Sequence, residues 1–153
     1  MKTTYKETYE FLSQHKLAVL STTDGKTDIW GAAIYYAIDD SLTFYFFTKT
    51  GSKKYKHILK NPHVAVTVAD DEAQATVQAA GKVEKVPEGE EQDEAYRKLA
   101  LVHPPGEFSW KPPVSKLHDD GETVVLRLQP SMLQFADFKS DSHLTGDHIK
   151  RII

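Results

Sequence analysis

Between positions 44 and 60 the chain sets out groups that suit a phosphate. An aromatic run, Phe44-Tyr45-Phe46-Phe47, leads into Thr48, a small-residue turn follows, and Ser52 stands where a helix would be capped. Five lysines (Lys49, Lys53, Lys54, Lys56 and Lys60) fall between positions 49 and 60, and no Asp or Glu stands among them. Hydroxyls, free backbone N–H groups and ammonium groups at a helix start form a common anion site. Taken by charge alone, the run is also consistent with a solvated helix face. Two details favour the anion. Thr48 ends a strand, so its hydroxyl projects from a fixed platform. Lys53 and Lys54 occupy the first helical turn, where cations oppose the helix dipole and a bound anion would relieve the conflict. These observations imply a phosphate-bearing ligand.

The elements that must position this segment follow from pattern. Residues 4–15 have the spacing of a short amphipathic helix, with Tyr5, Tyr9, Phe11 and Leu12. Residues 16–22 form a strand ended by Asp24-Gly25, and 29–38 a second strand ended by Asp39-Asp40-Ser41. The third strand is 42–48. Ser52 caps a helix through Lys60, which Asn61-Pro62 stops. Residues 64–68 form a fourth strand and 73–86 a fifth, with Gly81 as a bulge or close-contact point. Residues 90–102 form a helix. A proline-rich loop with Trp110-Lys111-Pro112-Pro113 precedes a sixth strand, 123–129, and a seventh, 132–138. The tail shows only Ile149, Ile152 and Ile153 as a packing signal. Seven short strands and three helices predict one mainly antiparallel β-barrel domain with flanking helices, spanning 1–153.

Composition sets limits. Apolar residues make up 40% of 153, enough for one core, and the formal charge of −3 argues against a nucleic-acid partner. With no cysteine, disulfides, zinc–thiolate sites, iron–sulfur clusters and a cysteine nucleophile are excluded. The N-terminus has no signal-peptide pattern and no apolar run reaches membrane-spanning length, so a cytoplasmic protein without a membrane partner is expected. The histidines read as unremarkable, and their spacing fits no metal motif.

The order of these strands, with Thr48-x-x-x-Ser52-x-Lys54 followed by Asn61-Pro62-x-Val64, resembles the pyridoxamine 5'-phosphate oxidase-like family of FMN-binding split β-barrels. The resemblance covers about residues 5–138 and implies an FMN-dependent oxidoreductase acting on a small-molecule redox substrate, built as a homodimer. It places the FMN phosphate on Phe47, Thr48, Ser52, Lys53 and Lys54. It lays the flavin ring along the second strand, whose Gly31 and Ala32 are small, with Ala33, Ile34, Tyr35 and Tyr36 lining it. Without the resemblance that strand is equally a plain buried one. Either Thr76 or Gln78, which share a strand face, would approach the flavin; an exposed edge position is the other reading of Gln78. Trp110 would reach the partner's flavin, or else plug the barrel end. Three other readings stay open: a non-catalytic flavin-binding stress or sensing protein, a reductase using the deazaflavin F420, and a haem-binding relative, although no histidine is convincingly placed as an axial ligand. The C-terminal sequence does not match the substrate-phosphate motif of the oxidases proper, so vitamin B6 chemistry is not expected.

Overall fold

The structure, a computed structural model, describes residues 3–102, 123–139 and 148–153. In chain order the elements are α1 (Thr3–Gln14), β1 (Leu17–Thr23), β2 (Ile29–Tyr35), β3 (Ala37–Ile38), β4 (Phe44–Lys49), α2 (Lys53–Lys60), β5 (His63–Asp70), β6 (Ala75–Lys85), α3 (Glu90–Val102), β7 (Thr123–Asp137) and β8 (Ile149–Arg151). The strands make one sheet, ordered β2-β1-β5-β6-β7-β4-β3, with β8 added to β7. Every pairing is antiparallel.

The topology itself forces curvature. β2 and β3 lie at opposite ends of the sheet, yet only Tyr36 separates them in sequence. The sheet must therefore curl until its ends meet. Tyr36 secures the join: its N–H donates to the Lys16 carbonyl at 3.0 Å and its hydroxyl to the Leu12 carbonyl at 2.8 Å. Inside the curl lie Leu20, Tyr36, Phe44, Phe46, Leu128 and Leu133, all fully buried, with Phe11 and Leu12 of α1 packed against them. A second cluster, centred on Tyr45, Val125, Tyr96 and Leu99, fixes α3 to the back of β4 and β7. Phe44 and Tyr45 are thus buried on opposite faces, which explains the unbroken aromatic run.

Three boundaries differ from the sequence reading. The expected strand 29–38 breaks at Tyr36 because its two parts pair with different partners. The expected strand at Leu42 starts only at Phe44: Leu42 adopts φ 61° in a turn, where its N–H reaches the Asp39 carbonyl and Asp39 Oδ1 accepts from Ser41 and Thr43. The expected sixth and seventh strands are one strand, β7, paired to β6 on both sides of a bulge at Ala80/Gly81. Its first half carries β4 and its second half β8 on the other edge. A Cβ on Gly81 would stand 2.9 Å from the Gln129 carbonyl oxygen, so close backbone approach requires glycine there. The tail gives a short strand, and Ile152 and Ile153 pack on the core. No helix among the described residues is long and apolar enough to cross a membrane.

Candidate functional site

α2 starts where β4 ends. The β4–β7 ladder pairs Thr48 with Val124 and holds its side chain in place at 3% exposure. Ser52 has extended backbone (φ −73°, ψ 153°), and its Oγ accepts from the Tyr55 N–H at 3.3 Å, as a helix cap should. Thr48 Oγ1 and Ser52 Oγ lie 3.0 Å apart. The next two amides, of Lys53 and Lys54, precede the first intrahelical bond and point outward from the helix start. Phe47, Thr48, Lys49 and Lys54 line a shallow cleft of about 250 Å³ beside them. Burial pushes the Lys54 ammonium below the usual lysine range, and among the described residues no carboxylate pairs with it. A partly desolvated cation and Thr48 line the cleft, and the Ser52 hydroxyl at the helix start lies 3.0 Å from the Thr48 hydroxyl. That donor set fits a phosphate. Gly51 is neither crowded nor in the left-handed region, so nothing in the turn demands glycine.

Lys53 points elsewhere. Its Nζ lies 3.2 Å from Asp28 Oδ2 and 4.4 Å above the Trp30 ring. The same Asp28 oxygen lies 2.9 Å from His57 Nε2, and Thr22 Oγ1 lies 2.9 Å from His57 Nδ1. Because a carboxylate only accepts, Nε2 carries a proton, and the Thr22 hydroxyl bonds the other ring nitrogen. His57 is 4% exposed, whereas its neighbour Leu59 is 69% exposed. The sequence reading passed over this histidine. An apolar pattern marks Leu59 for the core, and only the paired Thr22 and Asp28, distant in sequence, make burial of an imidazole favourable.

The expected flavin-facing residues split by strand alternation. Ile34 and Tyr36 turn into the core; Ala33 is exposed and Tyr35 half-buried on the outer face. The register draws one row across that face: Ala33 opposite Val19, Val19 opposite Thr67, Thr67 opposite Gln78, Gln78 opposite Gln134. Gln134 Nε2 donates to Gln78 Oε1 at 2.6 Å, and half-buried Thr76 sits two residues along β6. Along this face stand exposed apolar side chains: Leu17 at 53%, Val19 at 46% and Ile29 at 76%. Trp30, 45% exposed, alternates to the other face, opposite Thr22 and toward the start of α2. Trp110 lies outside the described residues.

A larger cavity, about 530 Å³, opens on the far side between α3 and the 39–40 turn. Asp39, Asp40, Glu90, Glu91 and Glu94 line it, and burial, with Asp39 and Glu91 adding to it, pushes the Tyr45 phenol up to about 12. Arg97 and Lys98 line the cavity too, but five carboxylates against two cations make it a poor phosphate site. Among the described residues no group of three or more His, Cys, Asp or Glu is arranged to hold a metal ion.

Residues 5–136 match the family model of pyridoxamine 5'-phosphate oxidase. Among solved structures, a haem-binding protein from Mycobacterium smegmatis superposes with a TM-score of 0.75 at 14% identity, over 99% of this chain. The chain spans 58% of that protein's length. A conserved hypothetical protein from Mycobacterium tuberculosis gives 0.71 at 20% identity, over 91% of this chain and 86% of that one. A pyridoxamine 5'-phosphate oxidase-related, FMN-binding protein from Nostoc punctiforme gives 0.64 at 12%, over 97% and 84%. At these identities the likeness is one of fold, the split barrel. A search of curated proteins finds no match.

Proposed function

From the premise that the chain belongs to the pyridoxamine 5'-phosphate oxidase family, we propose that it is an FMN-binding oxidoreductase that works as a homodimer on a small-molecule redox substrate. Lys54 carries the proposal: a partly desolvated ammonium, unpaired among the described residues, beside Thr48, Ser52 and the free amides of α2. Bound FMN would supply the electron transfer, and the protein supplies position and electrostatics. Thr48, Ser52 and Lys54 would take the phosphate. The outer row from Ala33 to Gln78 would take the ring: Ala33 leaves room for a flat group, and Gln78 and Thr76 offer hydrogen bonds at its edge. No side chain of that row ionises, which suits hydride or electron transfer better than hydrolysis. A nicotinamide or deazaflavin donor fits this reading.

Lys54→Ala should weaken FMN binding. Loss of a charge-assisted hydrogen bond of about 1.5–3 kcal/mol gives roughly a ten- to hundredfold rise in Kd. Fluorescence titration measures it, and an unchanged Kd would sink the site. A haem-binding role is the second reading, because one structural neighbour is named for it. Both ring nitrogens of His15 and of His57 are already engaged, whereas His148 Nδ1 is buried without a hydrogen-bond partner among the described residues. The absorbance and mass of the chromophore bound after purification separate FMN, F420 and haem. Turnover with a reduced nicotinamide separates an enzyme from a sensing protein.

A further inference from the structure

Two adjacent lysines open α2, but they are not equivalent. Of the two, Lys54 lines the cleft, together with Lys49 of β4. Lys53 is drawn to the other side by the Asp28 carboxylate at 3.2 Å and the Trp30 face at 4.4 Å. Asp28 is itself anchored. Its backbone N–H donates to Asp24 Oδ1 at 3.1 Å, and its carbonyl accepts from the Asp24 N–H at 3.2 Å. Its carboxylate oxygen is fixed from behind by buried His57 at 2.9 Å, which Thr22 fixes in turn. Bonds from His57 first and Lys53 second hold the Asp28 carboxyl below the usual carboxylate range, so it is ionised at neutral pH. A flexible lysine stem is therefore tethered to an immobile anion, next to a site built for another anion.

We propose that Asp28 is a positioning residue that sets the strength of the phosphate site by competing with the ligand's phosphate for the Lys53 ammonium. The inference rests on the reading of the cleft as a phosphomonoester site and deepens it. The Thr22–His57–Asp28 chain holds one cation in reserve, so Lys54 and Lys49 supply the charge in the cleft and the ligand remains exchangeable. The pair is about half exposed on both sides, at 44% and 47%, so the competition is modest.

Three consequences are measurable by titrating the full-length protein with FMN, with phosphate-free riboflavin as control. Asp28→Asn keeps an acceptor for His57 and releases Lys53, and FMN should bind about two- to fivefold tighter, with riboflavin unchanged. Lys53→Ala should weaken FMN binding less than twofold, far less than Lys54→Ala. In a Lys53→Ala background the gain from Asp28→Asn should disappear. A purely structural role for Asp28 predicts weaker binding in Asp28→Asn, so tightening separates the two. Unchanged or weaker FMN binding in folded Asp28→Asn, with wild-type binding still dependent on Lys54, would overturn this proposal alone. Equal binding of FMN and riboflavin to the wild type would overturn it together with the phosphate site.

Discussion

The side chains proposed to take the phosphate come from residues six positions apart, Thr48 to Lys54, and that closeness made the cluster legible in the sequence. The partners that decide what Lys53 does were not legible: Asp28 and Thr22 arrive from another hairpin, and no local pattern announces a buried imidazole between them. Aspartates of this kind also set the response to acid. Asp28 is held below the usual carboxylate range by His57 and Lys53, Asp24 by the Lys26 and Asp28 amides, and Asp70 by the Ala73 amide and then His15. Each is depressed on folding, so each stabilises the fold above the unfolded-state value of about 3.9. That contribution is lost as pH falls through the lower folded-state values. Melting temperature should therefore fall steeply below about pH 4. Asp70→Asn, which keeps an acceptor for the Ala73 amide, should make the fall shallower. Calorimetry between neutral and acid pH reads this, and an acid limb identical to the wild type would show that Asp70 does not contribute.

Strands and helices were read well where one element keeps the same neighbours along its length. The amphipathic spacing of α1 and the Ser52 cap of α2 are local signals, and both elements stand where the pattern put them. Errors came where the partner on one edge changes along a run. β2 and β3 form one extended run in sequence, and only the closure of the sheet divides it at Tyr36. β7 looks like two strands because Pro130 interrupts its pattern, but the bulge opposite Gly81 absorbs the proline and the ladder resumes. That bulge was visible as an isolated glycine in a strand, and it supports a prediction. A Cβ on Gly81 would meet the Gln129 carbonyl at 2.9 Å and the Ser131 nitrogen at 3.2 Å, both backbone atoms of the paired strand. Neither can swing aside. Gly81→Ala should destabilise the protein by about 1–3 kcal/mol, the usual cost of overpacking. A lowered urea midpoint with an unchanged slope would match it, and an unchanged midpoint would show that the bulge can shift.

Viewed whole, the molecule is an acidic chain with one conspicuously apolar face, where Leu17, Val19 and Ile29 stand exposed beside Ala33. Alternation along β1 and β2 predicts a polar outward side for a sheet with one face in water, and these strands break that rule over adjoining residues. A contiguous apolar patch marks a surface that another surface covers. A second copy of the chain is the proposed cover, because a twofold axis brings the same patch against itself and needs no further partner. The arrangement would also place each copy beside the other's ring-binding row. Val19 sits mid-face, opposite both Ala33 and Thr67. Its side chain is 46% exposed, so a charge there leaves the core intact. Across a twofold interface Val19→Glu introduces two like charges in desolvated surroundings, and the dimer should dissociate. Light scattering should report the mass of two chains for the wild type and of one for Val19→Glu, with unchanged circular dichroism. FMN affinity should fall with the dimer, since half of the walls around the ring would be lost. A wild-type protein that is a stable monomer with FMN bound would refute the twofold assembly.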